Sequence, residues 1–191
     1  IAIVLDGTVY ISYCDFPEED LRCAYKSDDE WKVDTVDAED TVGTYTSIDV
    51  DSDGRASISY YDETEQDLKY AVLENGEWTV EAVDTQGDVG RYSSLAVDGQ
   101  GGPHIVYYDG FSDSLKYATR SGGNWNIEVV DADGDSGRYA AVALDSQGTP
   151  HCTYGRDETV LMYASRDTGG WETRQVDSEI KLFGSTAVAL E

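Results

Sequence analysis

Along most of the chain, apolar and polar residues alternate in short runs, the period-2 pattern of a half-buried strand. In one well-defined stretch the runs are Ser93–Asp98, His104–Asp109, Leu115–Thr119 and Trp125–Asp131. Each is rich in Val, Ile, Tyr or Thr and is bounded by Gly, Asp, Asn or Ser, residues that favour turns. The links between them are short enough for hairpins. No stretch combines apolar residues at helical spacing with caps. The pattern predicts a four-stranded antiparallel sheet, with strands a to d in chain order.

The same set recurs. Trp31, Trp78, Trp125 and Trp171 are spaced 47, 47 and 46 residues apart, and Gly43, Gly90, Gly137 and Gly184 are spaced 47 each time. Asp37, Asp84, Asp131 and Asp177 follow at 47, 47 and 46. A four-stranded sheet repeated at this period is one blade of a β-propeller, so the expected class is all-β. The blades fall at about 1-37, 46-84, 93-131 and 140-177, within one propeller domain or propeller fragment covering 1-191. Ile1–Asp6 aligns with strand a, and so does Ser185–Glu191, giving four blades and an extra a-strand. Either two chains close a shared ring, as a homodimer, or the piece comes from a longer propeller. Blade number stays open.

The string His104-Ile105-Val106-Tyr107-Tyr108-Asp109, then Leu115-Lys116-Tyr117-Ala118, Trp125, Val130-Asp131 and Gly137-Arg138-Tyr139, resembles repeats of secreted and cell-surface β-propellers of bacteria and archaea. The resemblance covers the whole chain and implies an extracellular propeller, a fold that hosts many activities. More distantly the repeat is similar to sialidase-like and lectin-like propellers. Sialidase-like blades carry S-x-D-x-G-x-x-W at the c–d turn. Here Ser121-Gly122-Gly123-Asn124-Trp125 keeps a Gly-rich turn before Trp but lacks the Ser and Asp in register.

Composition adds a solvent to this picture. The 191 residues include 39 acidic against 13 basic side chains, a formal net charge of −26. Such a surface repels nucleic-acid phosphates and anionic lipid, and no apolar run is long enough to insert in a membrane as a helix. With 40% hydrophobic residues, 14 Tyr and 4 Trp, the chain can build a core, so the acidity does not signal disorder. Dense carboxylates self-repel at low salt and tolerate high salt, which suits a halophilic archaeon or bacterium; the other reading is an ordinary acidic secreted domain. The chain begins at Ile1, so an export signal is not judged from it.

Strand direction brings the b–c turns and d–a crossings to one face of the disc. That face collects Asp62 and Asp109, with Arg156 in the fourth copy, together with Asp84, Asp131, Arg91, Arg138, Tyr92 and Tyr139. Tyr beside Asp and Arg suits a sugar, the ring covering C–H bonds while charged groups meet hydroxyls. Repeated Asp can equally close turns or tie one blade to the next. Arg156 breaks the symmetry of the Asp series, as a functional residue or a drifted terminal blade would. Asp49, Asp51 and Asp53 have D-x-D-x-D-G spacing, fit for calcium or for a solvated turn, without the downstream acid of a full calcium loop. Cys14 and Cys23 replace paired tyrosines of later copies, which suggests a b–c disulfide or two packed thiols. His104 and His151 hold equivalent places on separate blades and read as packing residues, like the Trp series. Cys152 reads as a buried free thiol.

Three functions fit: a non-catalytic recognition or adhesion module for a glycan or surface protein, an assembly unit whose spare strand pairs with another chain, and a glycoside hydrolase or lyase. The first is favoured, because repeated blades show no singular acid pair. The charge pattern carries its own expectation. The thermal midpoint should rise between dilute buffer and about 2–3 M KCl, where surface repulsion is screened; calorimetry across that series checks it.

Overall fold

The computed structural model describes residues 1–4, 7–178 and 184–190. Four sheets of four antiparallel strands follow one another, each in simple chain order. Blade 1 holds β1 (Ala2–Ile3), β2 (Val9–Asp15), β3 (Asp20–Ser27) and β4 (Glu30–Asp37). Blade 2 holds β5 (Val42–Val50), β6 (Ala56–Asp62), β7 (Asp67–Glu74) and β8 (Glu77–Asp84). Blade 3 holds β9 (Val89–Val97), β10 (Pro103–Asp109), β11 (Ser114–Ser121) and β12 (Asn124–Asp131). Blade 4 holds β13 (Ser136–Leu144), β14 (Pro150–Arg156), β15 (Val160–Asp167) and β16 (Gly170–Asp177). No helix occurs among the described residues. The four-stranded blades expected from the repeat are present.

Inner strands begin earlier than the alternation implied: β9 starts at Val89 rather than Ser93. The reason is a bulge. Register shifts between Val42 and Thr44 and between Thr44 and Ser47 break the alternation that marks a strand in sequence. The shifts recur in blades 3 and 4. Each bulge contains a glycine that only Gly can fill. A Cβ on Gly43, Gly90 or Gly137 would stand 2.8–2.9 Å from the Cα of Leu21, Leu68 or Leu115, and each has φ between +92° and +114°. The glycine lets the inner strand of one blade cross against strand c of the blade before it.

Apolar cores lie between blades rather than within them. One cluster joins Leu21, Cys23 and Val36 to Val42, Ile48, Ile58 and Tyr60 of blade 2; equivalent clusters join blades 2 and 3 and blades 3 and 4. None of the three joins blade 1 to blade 4. Residues 185–190 form no strand, but they lie where a further inner strand would lie. The Thr186 hydroxyl donates to the Tyr139 carbonyl at 2.7 Å, as that of Ser93 donates to the Tyr45 carbonyl at 2.9 Å. Leu5, Asp6 and Glu191, the remaining residues of the two segments aligned with strand a, lie outside the described residues.

A buried polar lock closes each interface. Asp37, Asp84 and Asp131, at the ends of the d-strands, are 5–8% exposed. The next blade supplies their partners: Tyr60 donates to Asp37 at 2.6 Å, Tyr107 to Asp84 at 2.8 Å, and Tyr154 to Asp131. Lys69 bridges Asp37 at 3.4 Å and Asp62 at 2.8 Å; Lys116 bridges Asp84 at 3.1 Å and Asp109 at 2.7 Å. In blade 4 the cation has moved. Met162 pairs with Tyr154 where Lys116 pairs with Tyr107, and Arg156, at the place of Asp109, carries the charge to Asp131. Burial disfavours the charged Asp109, but its bonds from Lys116, Ser112 and Phe111 prevail and hold its pKa below the usual carboxylate value.

The four aspartates Asp62, Asp84, Asp109 and Asp131, with Arg156, are thus tied into interfaces and turns. Asp62 also caps its turn, accepting from Thr64 and Glu65 N–H at 2.9 and 3.0 Å. Truncating one partner of such a buried pair costs about 3 kcal/mol, because it strands the other charge. A depressed carboxylate stabilises the fold above its unfolded pKa, and that contribution is lost as pH falls through the folded one. Asp109→Asn should therefore lower the melting temperature at neutral pH. Its deficit relative to wild type should shrink below about pH 4, which paired thermal melts from pH 7 to pH 3 will show.

Candidate functional site

The bulges that follow the crossing glycines also place the tyrosines. Tyr45, Tyr92 and Tyr139 have φ of +50°, +54° and +57°, a left-handed backbone that costs a non-glycine residue about 1–2 kcal/mol. The same strain at the same place in three blades turns each ring toward its neighbours. Tyr45 and Tyr92 pack at 4.7 Å between centroids, and Tyr92 and Tyr139 at 4.8 Å. Tyr61 and Tyr108 meet the series edge-on at 6.1 and 6.2 Å. The result is an aromatic stair across blades 2, 3 and 4.

Arginines of the following blade cover this stair. Arg91 lies 5.3 Å over the Tyr61 ring and Arg138 lies 5.0 Å over that of Tyr108. Each is oriented by an acid of its own crossing loop: Asp88 at 2.8 Å from Arg91, and Asp135 at 2.8 Å from Arg138. Tyr61 donates to Asp88 at 2.8 Å, while Tyr108 donates to Asp113 at 2.7 Å. Burial, partly offset by Arg91, raises the Tyr61 pKa, and burial with the neighbouring Tyr92 raises that of Tyr45. These phenols stay neutral hydroxyls at physiological pH.

Between blades 2 and 3 the group encloses an open cavity of about 230 Å³ lined by Tyr45, Tyr61, Glu63, Gln66 and Arg91. It offers an exposed ring, a guanidinium, a carboxylate and an amide within one monosaccharide-sized space. Glu63 is the only lining carboxylate among the described residues; Asp88 nearby is committed to Arg91 and Tyr61. The next interface differs, with Gly110 at the place of Glu63 and Asp113 at that of Gln66.

The structure brings Arg91, Arg138, Tyr92 and Tyr139 to the aromatic stair, while Asp62, Asp84, Asp109, Asp131 and Arg156 are engaged in the interblade ion pairs. Sequence reasoning passed over Tyr61, Glu63 and Gln66. Tyr61 repeats and so reads as structural. Glu63 and Gln66 carried no signal, because the b–c loop differs in every copy, with Phe16, Glu63, Gly110 and Asp157 at one position.

Two other expectations are corrected. Asp49, Asp51 and Asp53 do not converge on a cation. Asp49 accepts from the N–H of Val97 and Val50 at 2.8 Å each, and Asp51 from Asp53 and Arg55 N–H at 2.9 Å. Asp51 also pairs with the Arg55 guanidinium at 2.7 Å. The protein's own donors consume these carboxylates, and no metal-ligand cluster occurs among the described residues. Cys14 and Cys23 are free thiols. Register sets Cys14 opposite Leu21 and Cys23 opposite Ser12, so the two are diagonal rather than facing. Burial pushes the thiols of Cys23 and Cys152 up to about 12, which keeps both inert. The histidines sit in equivalent hydrogen bonds, His104 with Tyr117 at 2.6 Å and His151 with Tyr163 at 2.5 Å.

No family model matches the chain, and no curated protein is similar to it in sequence. Solved structures share its fold. SapL1 lectin in complex with α-methyl fucoside aligns over 100% of this chain and 68% of its own, at 14% identity and TM-score 0.68. The lectin of the fungus Aleuria aurantia, a six-bladed β-propeller that recognises fucose, aligns over 94% of this chain and 66% of its own, at 12% identity and TM-score 0.63. The Hadza microbial sialidase Hz136 aligns over 93% and 45%, at 12% identity and TM-score 0.61. The chain therefore has the fold of propeller lectins and sialidases and spans about two thirds or less of these proteins' lengths.

The left-handed tyrosines invert an ordinary mutational ranking. Tyr92→Gly and Tyr92→Ala both lose the ring contacts, but only glycine escapes the backbone strain. The glycine variant should be the more stable by about 1 kcal/mol, as read by urea denaturation.

Proposed function

We propose that this protein is a non-catalytic carbohydrate-recognition module, exposed outside the cell in a saline setting, that holds a glycan terminus in the cavity between blades 2 and 3. The observation that carries the reading is the convergence of Tyr45, Glu63, Gln66 and Arg91 beside an aromatic stair. The exposed Tyr45 ring offers a face for the C–H bonds of a pyranose. Arg91 donates to hydroxyl or ring oxygens and Glu63 accepts from hydroxyls, so polarity fixes orientation while the ring supplies contact. The fold shared with fucose-binding lectins supports the same direction.

Asp88 makes this site more than a chance gathering of side chains. By holding the guanidinium against Tyr61 it removes most of the side-chain freedom that binding would otherwise have to freeze. Weak single-site affinity is expected of so open a cavity, and avidity through repeated presentation would raise it.

Glycan-array screening with fucosides among the probes, followed by calorimetric titration, tests the reading. Arg91→Ala and Tyr45→Ala should each reduce affinity about tenfold or more, while Arg156→Ala should act on stability alone. A protein that binds no glycan on the array, or whose binding survives both substitutions, would sink the proposal.

A further inference from the structure

A second cavity, of about 190 Å³, adjoins the one between blades 2 and 3, and Tyr45 is common to both linings. Its remaining lining is Thr46, Tyr92, Ser93, Tyr139, Ala140 and Ser185. The two cavities differ in character. The first carries the Arg91 guanidinium, the Glu63 carboxylate and the Gln66 amide. Among the described residues that line the second, none is charged, in a chain where 39 of 191 side chains are acidic and 13 basic. Its polar side chains are all hydroxyls: three phenols, a threonine and two serines.

Three rings supply most of the contact surface. They form steps rather than a flat stack, with Tyr45 and Tyr92 inclined at 58° and Tyr92 and Tyr139 at 59°. Inclined rings leave part of each face open, where a parallel stack would cover all but the outermost. Tyr45 is 41% exposed, and Tyr92 and Tyr139 are partly exposed. The rings are also held in place. Each sits on a left-handed backbone, and the Tyr61 and Tyr108 edges brace Tyr45 and Tyr92, so little side-chain freedom is left for binding to freeze. Burial and the neighbouring Tyr92 raise the pKa values of Tyr45 and Tyr139, which keeps both phenols as hydroxyls.

We infer that the ligand is a neutral glycan chain of at least two units, the terminal unit held in the first cavity and the next laid over Tyr45, Tyr92 and Tyr139 in the second. This rests on the recognition site proposed above. A pyranose has a face of C–H bonds that matches the phenol rings, while its hydroxyls meet those of the tyrosines and serines. A uronate or sulfated second unit does not fit, because no cation lines the second cavity and the net charge of −26 repels it. The first cavity supplies orientation and the second supplies contact. Once the terminal unit is held, the next unit meets the tyrosines at high effective concentration, so affinity grows with chain length.

The test is calorimetric titration of the full chain with methyl α-L-fucoside and with neutral fucosyl disaccharides, or with the matching pair for whichever terminal sugar the array selects. Wild type should bind the disaccharide about tenfold or more tighter than the methyl glycoside. Tyr139→Gly, which removes one ring at a left-handed position that accepts glycine, should cut that ratio to about twofold or less. Tyr139→Phe, which keeps the ring, should retain most of it, and thermal melts of both variants control for folding. A disaccharide with a uronic acid as second unit should bind no more tightly than the methyl glycoside. Equal affinity of wild type for the two neutral probes, or a ratio that survives Tyr139→Gly, overturns the inference and leaves the single-unit site standing. Wild type that binds neither probe nor any other array glycan removes the site itself, and the inference with it.

Discussion

A carboxylate buried at the end of each fourth strand governs this architecture. Alone it would be among the most costly groups to remove from water. It is tolerated because the following blade brings a phenol and a cation to it, and the cation is in turn shared with a second carboxylate in two of the three interfaces. Apolar contacts between sheets are nondirectional and would permit sliding. The lock fixes the offset between blades, because Tyr60, Tyr107 and Tyr154 reach their acids only at one angle and height. The highly acidic composition is thus unevenly distributed in purpose. Most carboxylates face water, while a repeated few are structural groups neutralised inside the protein.

From that fixed offset follows the geometry of the proposed ligand face. The crossing glycine brings an inner strand against the previous blade, the chain must bulge to recover its path, and the bulge forces the next tyrosine into a left-handed conformation. Neighbouring rings then come within contact distance of one another. Strain of this kind persists only where surrounding structure over-determines it, and here the determining structure is the interblade interface itself. The cavity beside Tyr45 depends on blades 2 and 3 together, with Arg91 supplied by one and Glu63 by the other.

The sequence was legible in proportion to its repetition. Spacing of Trp31, Gly43, Asp37 and their copies was enough for four-stranded blades, because each is a contact that must recur if the sheets are to stack alike. The same repetition obscured the roles of Asp62, Asp84, Asp109 and Asp131. Period and residue type cannot tell a buried carboxylate from a displayed one, since burial here depends on residues distant along the chain, as Tyr60 is from Asp37. The bulge hid the true start of the inner strands by breaking alternation at Thr44 and Tyr45. Diagonal placement of Cys14 and Cys23 was invisible for a related reason. Alignment to two tyrosines places residues on neighbouring strands but does not say which pairs face each other. Glu63 and Gln66 did not stand out at all, because the b–c loop that carries them differs in every blade.

The displaced cation of the fourth blade bears on how such a chain can evolve. Blades 2 and 3 carry Asp on strand b and Lys on strand c; blade 4 carries Arg156 and Met162 in those places. A crossover between repeats that joined strand b of blade 3 to strand c of blade 4 would leave two acids and no base at one interface. The reciprocal product would crowd two bases on one acid. Gene duplication and unequal exchange can therefore shuffle these repeats freely at the turns that keep strands b and c together, and are penalised at the turn between them. The unit of inheritance is the b–c hairpin rather than the single strand, a boundary drawn by charge balance.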